Sequence, residues 1–390
     1  MNLFRRLAAV LGALTLVLAI SPAISSIAFA DANHAVGHVY VNDNSATANT
    51  VSVFDRLSDG SLTQAAGSPV AIGGAGTGAP LGSQGAVQLT ADKKFLLAVD
   101  AASNQVSVLR VHGDGSLSSV PGSPFDSGGD NPVSIAIHGR LVYVANSGGA
   151  DANYTGFALS NRGALRPIAG STYSLPSGTV VGDILINPTG THLAATRVDT
   201  KTLPSEIDSF TIDRHGRLRA APGSPFAAES IGPFGSDFRP TAPDQLFVSN
   251  AHAGAGNGTI SAYTVRRNGA LLPIGPSPYP DTQTAPCWVT ISRTGRYLYA
   301  VNTAVPSITR FWISKEGSLS FLGNTQFNDP TGLRPFDAGL SPDGKNLYVV
   351  DAGLGAVSSF AVGPNGSLSE LAGSPTVLTP AASPFGIAVS

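Results

Sequence analysis

The chain has 390 residues, of which 42% are hydrophobic and 12% are charged, and its formal net charge is −2. The charged share is about half that of an average soluble protein, which leaves ample apolar sequence for a large core. This near-neutral balance gives no indication of a nucleic-acid partner or of an anionic membrane surface.

The first thirty residues have the features of an export signal. Arg5 and Arg6 precede an apolar run, Leu7–Ile20, and Ala28-Phe29-Ala30 is a small-x-small cleavage site. We therefore predict a Sec-type signal peptide at residues 1–30 and one mature domain at residues 31–390, located outside the cell or in the periplasm. A twin-arginine route and a retained N-terminal anchor remain alternatives. The single cysteine, Cys287, excludes an internal disulfide and is expected to be a buried, inert thiol.

A short phrase repeats along the mature chain and defines its period. A Gly, one further residue and a Leu recur at seven positions that are spaced 48 to 55 residues apart. A period near 50 residues is typical of a propeller or another repeat array. The seven glycines are Gly60, Gly115, Gly163, Gly216, Gly269, Gly317 and Gly366.

Each period contains the same four predicted strands. An alternating run such as "VSIAIHG" is followed by an apolar run such as "LVYVAN", then by a third run, and the "GxL" hairpin leads into a short fourth strand. The Pro of the following "GSP" is predicted to end that fourth strand, because Pro cannot donate to a ladder. Seven such units predict an all-β, seven-bladed β-propeller of four-stranded antiparallel blades.

The two ends of the repeat predict how the ring closes. The mature chain starts with a second-strand sequence, "GHVYVND", and finishes with a first-strand sequence, "SPFGIAVS". A linear array would leave both pieces unpaired at open sheet edges. We therefore expect Ile387–Val389 to complete the blade that opens at Val39.

The strand motifs "SPDGKNLYVVD" (Ser341–Asp351) and "SRTGRYLYAVN" (Ser292–Asn302), together with the seven hairpins, carry a family resemblance. The chain resembles the lactonase-type seven-bladed propellers, which include bacterial 6-phosphogluconolactonases and fungal carboxymuconate-lactonizing enzymes. "YVAN" (Tyr143–Asn146) is similar to the YVTN repeat of related propellers. The resemblance implies a hydrolase or a cycloisomerase that acts on lactones. Enzymes of this family carry a His where a first strand starts, and none of the seven starts has one here.

One polar constellation stands out at the predicted rim of the central tunnel. The second strands end at Asn42, Asp100, Asn146, Arg197, Asn250, Asn302 and Asp351, and the first strands start at the same rim. Asn and Asp often only cap turns. Arg197 interrupts the column, and an Arg among acceptors can bind a carboxylate or phosphate in bidentate fashion.

From these positions we predict catalytic and ligand-binding candidates. The catalytic candidates are Asp183, Asp337 and His252. The ligand-binding candidates are Arg197, Asp100, Asn146, Asn250, Asn302, Asp351, Trp288 and Arg334. The carboxylates of Asp183, Asp337 and Asp351 are expected either to act as general bases or to neutralise Arg197, Arg239 and Arg334. No histidine has metal-ligand spacing, so we expect neither a metal nor a cofactor.

Two functions fit this sequence. The first is a secreted, lactonase-like propeller that hydrolyses or forms the lactone of a small sugar acid or hydroxy acid at the tunnel rim. The alternative is a non-catalytic extracellular propeller that holds a glycan, a peptide or a cell-wall component. Either one is expected to be a monomer with a small anionic or polyhydroxy ligand, and neither nucleic acid nor a membrane is an expected partner after signal cleavage.

Overall fold

The computed structural model describes residues 34–380 and 382–390, so the predicted signal segment lies outside the described residues. The described chain forms seven antiparallel sheets, which confirms the predicted seven-bladed all-β propeller. One short 3-10 turn, Ala101–Ser103, interrupts the strands. Within the described residues, no helix is both long and apolar enough to cross a membrane.

The strands follow the chain from blade to blade. Blades 1 to 3 contain β1 (Ala35–Asn42), β2 (Thr50–Leu57), β3 (Leu62–Gln64), β4 (Val70–Ala71); β5 (Val87–Leu89), β6 (Phe95–Asp100), β7 (Gln105–Val111), β8 (Leu117–Ser119), β9 (Phe125–Asp126); β10 (Pro132–His138), β11 (Leu141–Asn146), β12 (Asn153–Leu159), β13 (Leu165–Pro167) and β14 (Tyr173–Ser174). Blades 4 and 5 contain β15 (Val180–Ile186), β16 (His192–Val198), β17 (Glu206–Ile212), β18 (Leu218–Ala220), β19 (Phe226–Ala227); β20 (Pro233–Phe238), β21 (Gln245–Asn250), β22 (Thr259–Val265), β23 (Leu271–Pro273) and β24 (Tyr279–Pro280). Blades 6 and 7 contain β25 (Pro286–Ile291), β26 (Tyr297–Asn302), β27 (Ser307–Ile313), β28 (Leu319–Gln326); β29 (Pro335–Leu340), β30 (Asn346–Asp351), β31 (Ala356–Val362), β32 (Leu368–Glu370) and β33 (Thr376–Val377), and the last strand is β34 (Ile387–Val389).

The first strand of each blade lies at the centre of the ring. These strands contact one another in a closed circuit, in the order β5, β10, β15, β20, β25, β29, β34 and back to β5. Antiparallel pairing places the first-to-second turns and the third-to-fourth hairpins on one face, which we call the hairpin face. The second-to-third loops and the links between blades lie on the opposite face, the loop face. The tunnel runs between the two.

The last strand closes the ring as predicted. β34 pairs with β1 in the register Val39–Val389, Tyr40–Ala388 and Val41–Ile387. Beyond this ladder, the Ser390 amide donates to the His38 carbonyl at 2.8 Å, and the His38 amide donates to Ser390 Oγ at 2.9 Å. Both ends of the chain therefore share blade 1.

The Ser-Pro phrase interrupts the fourth strand rather than ending it, so that prediction was wrong. In six blades the outer strand resumes after the turn and pairs again with the same third strand, as β3 and β4 both pair with β2. Five of these turns contain Ser-Pro, and the turn of blade 3 has Ser171-Thr172 in its place. The turn leaves a third-strand amide without a ladder partner, and the serine hydroxyl accepts its hydrogen bond. Val53 donates to Ser68 Oγ at 2.8 Å, and Val108 donates to Ser123 Oγ at 2.9 Å.

Removing one of these hydroxyls is expected to destabilise the protein. Ser123→Ala leaves the amide of buried Val108 unpaired, which costs about 1–3 kcal/mol. Ser119→Ala, at an exposed position on β8, is the matched control and should change little. The measurement is the urea midpoint of each variant, and equal midpoints for the two variants would contradict this role of the Ser-Pro phrase.

The "GxL" hairpins recur because side chains of the preceding blade pack against the glycine of each hairpin. The hydroxyl of Tyr348 in β30 donates to the carbonyl of Gly60 at 2.9 Å, and that of Tyr40 donates to Gly115 at 3.1 Å. Gly60 has a φ of 89°, and a Cβ added there would lie 2.0 Å from the amide nitrogen of Asn346. A glycine is thus required both by the turn and by the close approach of the neighbouring blade.

Candidate functional site

A segment of blade 2 crosses the tunnel and touches the other inner strands. This tunnel segment, residues 81–85, precedes β5. Ser83 Oγ donates to the Val133 carbonyl of blade 3 at 2.8 Å. The Ser83 carbonyl accepts from Trp288 Nε1 of blade 6 at 3.0 Å. The Gly85 amide donates to Asp337 Oδ2 of blade 7 at 3.1 Å.

Gln84 joins blades 4, 5 and 6 from the centre of the ring. Its backbone amide donates to the Gly182 carbonyl at 2.8 Å, and its Nε2 donates to the Ser236 carbonyl at 3.0 Å. Its Oε1 accepts from the Val289 amide at 3.1 Å. The tunnel segment therefore divides the tunnel into a loop-face part and a hairpin-face part.

An aromatic cluster closes the loop-face part. The ring of Trp288 lies 4.8 Å from Phe336, 6.0 Å from Phe385 and 6.4 Å from Phe234, measured between centroids. Trp288 is only 2% exposed. The prediction that Trp288 offers a ligand-binding surface at the rim is therefore not supported, because its indole packs into the core and its one polar atom is used by Ser83.

Below the tunnel segment, two predicted catalytic residues come together. Asp183 accepts hydrogen bonds from Ser236 Oγ at 2.7 Å and from the Ser236 amide at 3.1 Å, and Ser134 Oγ donates to it at 3.2 Å. Burial raises the pKa of Asp183 to about 8, against the serine hydrogen bonds, and Asp337 acts in the same direction as burial. Burial likewise raises the pKa of Asp337 to about 7. These carboxyls resist ionisation because they lie out of water and close to each other.

Sequence reasoning missed a third carboxyl, Asp237. It pairs with Phe247, three residues before the end of β21, whereas Asp183 pairs with Thr196 near the end of β16. Asp237 therefore points into the tunnel about two residues, or roughly 7 Å, closer to the hairpin face. Burial raises its pKa to about 7, and the Ile291 amide donates to it at 2.9 Å. The signal in the sequence was "GSDF", a charged residue at an inward position of a first strand.

A cavity of about 320 Å³ lies at the hairpin face, next to Asp183 and Asp237. Asp183, Asp237, Gln84, Gln88 and Ser236 line it, and its walls are the first strands of blades 3, 4 and 5. Asp237 is only half-buried, so its carboxyl is reachable from this cavity. A second cavity of about 330 Å³ lies at the outer edge between blades 2 and 3, away from the buried carboxyls. The tunnel-mouth cavity is therefore the candidate active site.

The predicted column of Asn and Asp does not face the tunnel. Its Asn and Asp members are buried inside the blades, and four of them, Asp100, Asn146, Asn250 and Asn302, bond to side chains of their own third strands. Asn250 Nδ2 donates to Ser261 Oγ and Asn302 Nδ2 donates to Thr309 Oγ1, both at 2.9 Å. In blade 1 the equivalent residue is Asp43, which accepts from Thr50 Oγ1 at 2.6 Å, rather than Asn42. The positional argument for ligand binding thus does not hold for the remaining members, which are 0% exposed: Asp100, Asn146 and Asp351.

Arg197 is also held inside its blade, and its predicted counter-ions were wrong. Its Nε and Nη2 donate to the two oxygens of Asp208 at 2.5 and 2.6 Å, and its Nη1 donates to Glu206 at 3.0 Å. Tyr154 donates to the same Asp208 carboxyl at 2.8 Å. Arg197 is 6% exposed and therefore offers no free guanidinium to a ligand.

Asp208 stands at a position that the other blades fill with a hydroxyl. In the β16–β17 ladder Arg197 pairs with Glu206, and Asp208 lies two residues further along β17. At that position the other six blades have Ser52, Ser107, Thr155, Ser261, Thr309 and Ser358. Where the other six blades place an Asn or Asp near a hydroxyl, blade 4 thus has a buried Arg–Asp pair.

The other two arginines do not pair with the predicted carboxylates either. Arg239 is 7% exposed and donates to carbonyls, including those of Gly295 at 2.7 Å and Ser314 at 2.6 Å. The backbone amide of Arg334 donates to Asp351 at 2.7 Å. The exposed guanidinium of Arg334 lies 5.7 Å from the ring centroid of Phe336 on the loop face. Arg334 therefore remains a ligand-binding candidate, but on the opposite face from the cavity.

His252 is on the loop face as well. Its Nδ1 lies 2.9 Å from Asp199 Oδ1, and its side chain is 39% exposed. The ring packs edge-on against Phe234, with 5.2 Å between the centroids. The tunnel segment and the aromatic cluster lie between His252 and the buried carboxyls. The three predicted catalytic residues thus do not form one site.

Neither the cysteine nor a metal ligand set adds chemistry. Cys287 is a free, buried thiol, and burial raises its pKa to about 12. Such a thiol is a poor nucleophile at neutral pH. In the part of the chain that the structure describes, no group of three or more His, Cys, Asp or Glu side chains is arranged to hold a metal ion.

The buried carboxyls predict a dependence of stability on pH. Burial raises the pKa of Asp43, Asp100 and Asp281 to about 6, from the ordinary value of 3.8 for an aspartic acid in water. Between about pH 4 and pH 6 the folded state therefore holds more protons than the unfolded state, so the free energy of unfolding falls as pH rises through this window. A shift of two pKa units corresponds to about 3 kcal/mol.

We expect the melting temperature to be higher at pH 5 than at pH 8. Asp281→Asn should flatten this profile, because Asp281 is 0% exposed and neither of its oxygens accepts a hydrogen bond from a described residue. Asp59→Asn, in the exposed hairpin of blade 1, is the control and should leave the profile unchanged. Scanning calorimetry at both pH values makes the comparison, and a melting temperature that rises from pH 5 to pH 8 would exclude this account.

Several known proteins are similar to this chain in sequence or in fold. Residues 240–384 match the protein family described as lactonase, 7-bladed beta-propeller. A proposed 6-phosphogluconolactonase from Bacteroides fragilis has 19% identity and a TM-score of 0.68, with 91% of this chain and 98% of that chain covered. A periplasmic gluconolactonase from Pseudomonas aeruginosa has 17% identity and a TM-score of 0.69, over 90% of this chain and 98% of that chain.

The same fold also serves proteins with other names. A hypothetical selenium-binding protein from Sulfolobus tokodaii has 10% identity and a TM-score of 0.65, over 91% of this chain and 93% of that chain. No curated protein sequence matches the chain. At these identities the structural similarity concerns the fold. The chain is a seven-bladed β-propeller. The family match confirms the predicted resemblance to lactonase-type propellers.

Proposed function

We propose that the chain is a hydrolase that opens the lactone ring of a small sugar acid or hydroxy acid in the tunnel-mouth cavity. The observation that carries this proposal is Asp237, a half-buried carboxyl with a pKa of about 7 that faces a cavity of about 320 Å³. A general base is most effective when its pKa lies near the working pH. The family match over residues 240–384 supports lactone chemistry as the class of reaction.

In this mechanism Asp237 removes a proton from a water molecule as that water attacks the lactone carbonyl carbon. The ring C–O bond then breaks, and the proton held by Asp237 passes to the leaving alkoxide oxygen. Gln88 lines the same cavity, and its side-chain amide makes no hydrogen bond to a described residue, so it can donate to the developing oxyanion. Asp183 lines the same cavity but is 2% exposed and accepts hydrogen bonds from Ser134 and Ser236, so Asp237 is the carboxyl that water can reach.

The test is hydrolysis of δ-gluconolactone by the purified protein, corrected for spontaneous opening. Asp237→Asn is expected to lower kcat by a factor of 100 or more, which is the usual share of a general base. His252→Gln, on the opposite face, is the control and should retain activity. Wild-type kcat/KM should rise with pH through about 7, because only the ionised carboxyl of Asp237 accepts a proton.

Other outcomes assign a different function. Activity that survives in Asp237→Asn but not in His252→Gln would move the reaction to the loop face. Binding of a sugar acid without turnover of any lactone by the wild-type protein would establish the non-catalytic propeller instead.

We also propose that the protein is exported and acts outside the cytoplasm. The charged start, the apolar run Leu7–Ile20 and the small-x-small site at Ala28–Ala30 support export. The similarly folded gluconolactonase of Pseudomonas aeruginosa is described as periplasmic.

A further inference from the structure

Among the outer hairpins of the hairpin face, positive charge is concentrated in one sector. The third-to-fourth hairpin turns of blades 3, 4 and 5 contain five arginines and one acid, whereas those of the other four blades contain one lysine and three acids. Two further arginines lie on the fourth strands of blades 3 and 4. We call the seven exposed residues the arginine sector: Arg162, Arg166, Arg214, Arg217, Arg219, Arg266 and Arg267.

This asymmetry is unexpected for a repeat protein with a net charge of −2. The hairpins have the same backbone role in all seven blades, so the fold itself does not call for arginine in three of them. Arg214, Arg217 and Arg219 surround a surface cavity of about 430 Å³ together with Asp213 and His215. The carboxylate of Asp213 accepts hydrogen bonds from the backbone amides of His215 at 2.8 Å and of Arg217 at 3.0 Å. Its other oxygen lies 3.4 Å from Arg217 Nε, so Asp213 neutralises one of these arginines in part.

The arginine sector and the tunnel-mouth cavity are formed by the same three blades. The walls of that cavity are the first strands of blades 3, 4 and 5, the same three blades. Both features lie on the hairpin face. With strands about 4.8 Å apart, the fourth strand lies roughly 14 Å from the first. A ligand that spans both must be longer than a single sugar ring.

We infer that the arginine sector binds the chain of an anionic, carboxylate-bearing polysaccharide, one end of which reaches the tunnel-mouth cavity. This inference rests on the proposed function only in placing the reacting end in that cavity. Arginine presents a planar fork that pairs with carboxylates in bidentate fashion, and all seven charges are arginine rather than lysine. The hairpin turns of blades 3, 4 and 5 contain no Phe, Tyr or Trp and no large apolar residue, and His215 is their one aromatic side chain. Nucleic acids would be expected to use stacking side chains, and membranes inserted apolar ones.

The experiment measures binding of polygalacturonate oligomers by calorimetry at two salt concentrations. The variant replaces residues 213–217 of blade 4 by the sequence of residues 363–367 of blade 7, a hairpin of the same length that this fold already accommodates. We expect at least tenfold weaker binding and a smaller salt dependence. The control is Lys94→Ala with Lys345→Ala, which removes two charges from the same face outside the sector and should leave binding unchanged.

Further arms separate this inference from the proposed function. Binding is also measured with Asp237→Asn, in which the proposed hydrolysis is lost, so that the arginine dependence of binding is read separately from turnover. If no lactone is hydrolysed but the oligomer binds in an arginine-dependent way, the proposed function fails and the inference stands. Equal affinity of the swapped and wild-type proteins would overturn the inference. It would also be overturned if duplex DNA or phosphatidylglycerol vesicles bound more tightly than the oligomer with the same arginine dependence.

Discussion

Deletion of residues 384–390 is expected to abolish the folded state. The deletion removes β34, which is the first strand of blade 1 and pairs with β1 over Val39–Val41. It also removes Phe385, whose ring lies 4.7 Å from Phe336 between centroids in the cluster that closes the tunnel. The ring of inner strands would then be open between β29 and β5, with unpaired sheet edges on both sides. The measurement is the near- and far-ultraviolet circular dichroism of the truncated protein.

A second variant tests the same pairing without removing any chain. Val39 and Val389 are paired across the β1–β34 ladder, so Val39→Cys with Val389→Cys places two thiols within disulfide range. Oxidation should form an intramolecular bond and raise the melting temperature, and reduction should reverse it. The control pairs Val39→Cys with Ser119→Cys on the outer strand of blade 2, which should not cross-link. A truncated protein with an unchanged spectrum, or a failure of the first pair to oxidise, would show that the two ends do not close the ring.

Arg197→Ala is expected to destabilise the protein by about 3–5 kcal/mol, because it leaves the Asp208 carboxylate buried and unpaired. Asp208 is 0% exposed and holds Arg197 with both oxygens. Burial already raises the pKa of Asp208, and the guanidinium of Arg197 opposes that rise. The measurement is the free energy of unfolding in urea at pH 7.

The other blades supply the matched control. Arg197→Asn with Asp208→Ser recreates the neutral pair seen between Asn250 and Ser261, where the amide donates to the hydroxyl at 2.9 Å. This double variant should recover most of the stability that the single variant loses, since replacing a whole buried ion pair is often neutral. If Arg197→Ala instead kept full stability and lost affinity for a sugar acid, Arg197 would be a ligand-binding residue after all.

The sequence was sufficient to predict the architecture because each repeat can be recognised from residues that are close together in the chain. The "GxL" glycines are set by turn geometry and by the close approach of neighbouring side chains, including a tyrosine hydroxyl of the preceding blade in four hairpins. The apolar second strands are set by burial. Both constraints act within about one period, so counting them gave seven blades and the shared first blade. The outer strand was misread at Ser-Pro because the hydroxyl that replaces the lost ladder bond comes from the turn itself.

The candidate site was less predictable, because polar residues that look alike in sequence occupy different depths of the ring. Asp183 pairs with Thr196, the residue next to Arg197, but Arg197 faces a third strand within its blade and Asp183 faces the tunnel. The strand register and the inner-strand bulges decide these directions, and both depend on pairing with a neighbour. Gln84 could not be assigned at all, since its partners are contributed by blades 4, 5 and 6.

By itself, then, the sequence determined the number of blades, the order of strands within a blade, and the pairing of the two chain ends. These features follow from short-range periodicity, and only a closed ring satisfies every strand edge. Only the tertiary structure decided that the tunnel is divided by residues 81–85, that Asp237 rather than His252 shares a cavity with Asp183, and that Arg197 is neutralised by Asp208. Those outcomes depend on contacts between residues up to 252 positions apart, such as Gly85 with Asp337, which no local pattern encodes.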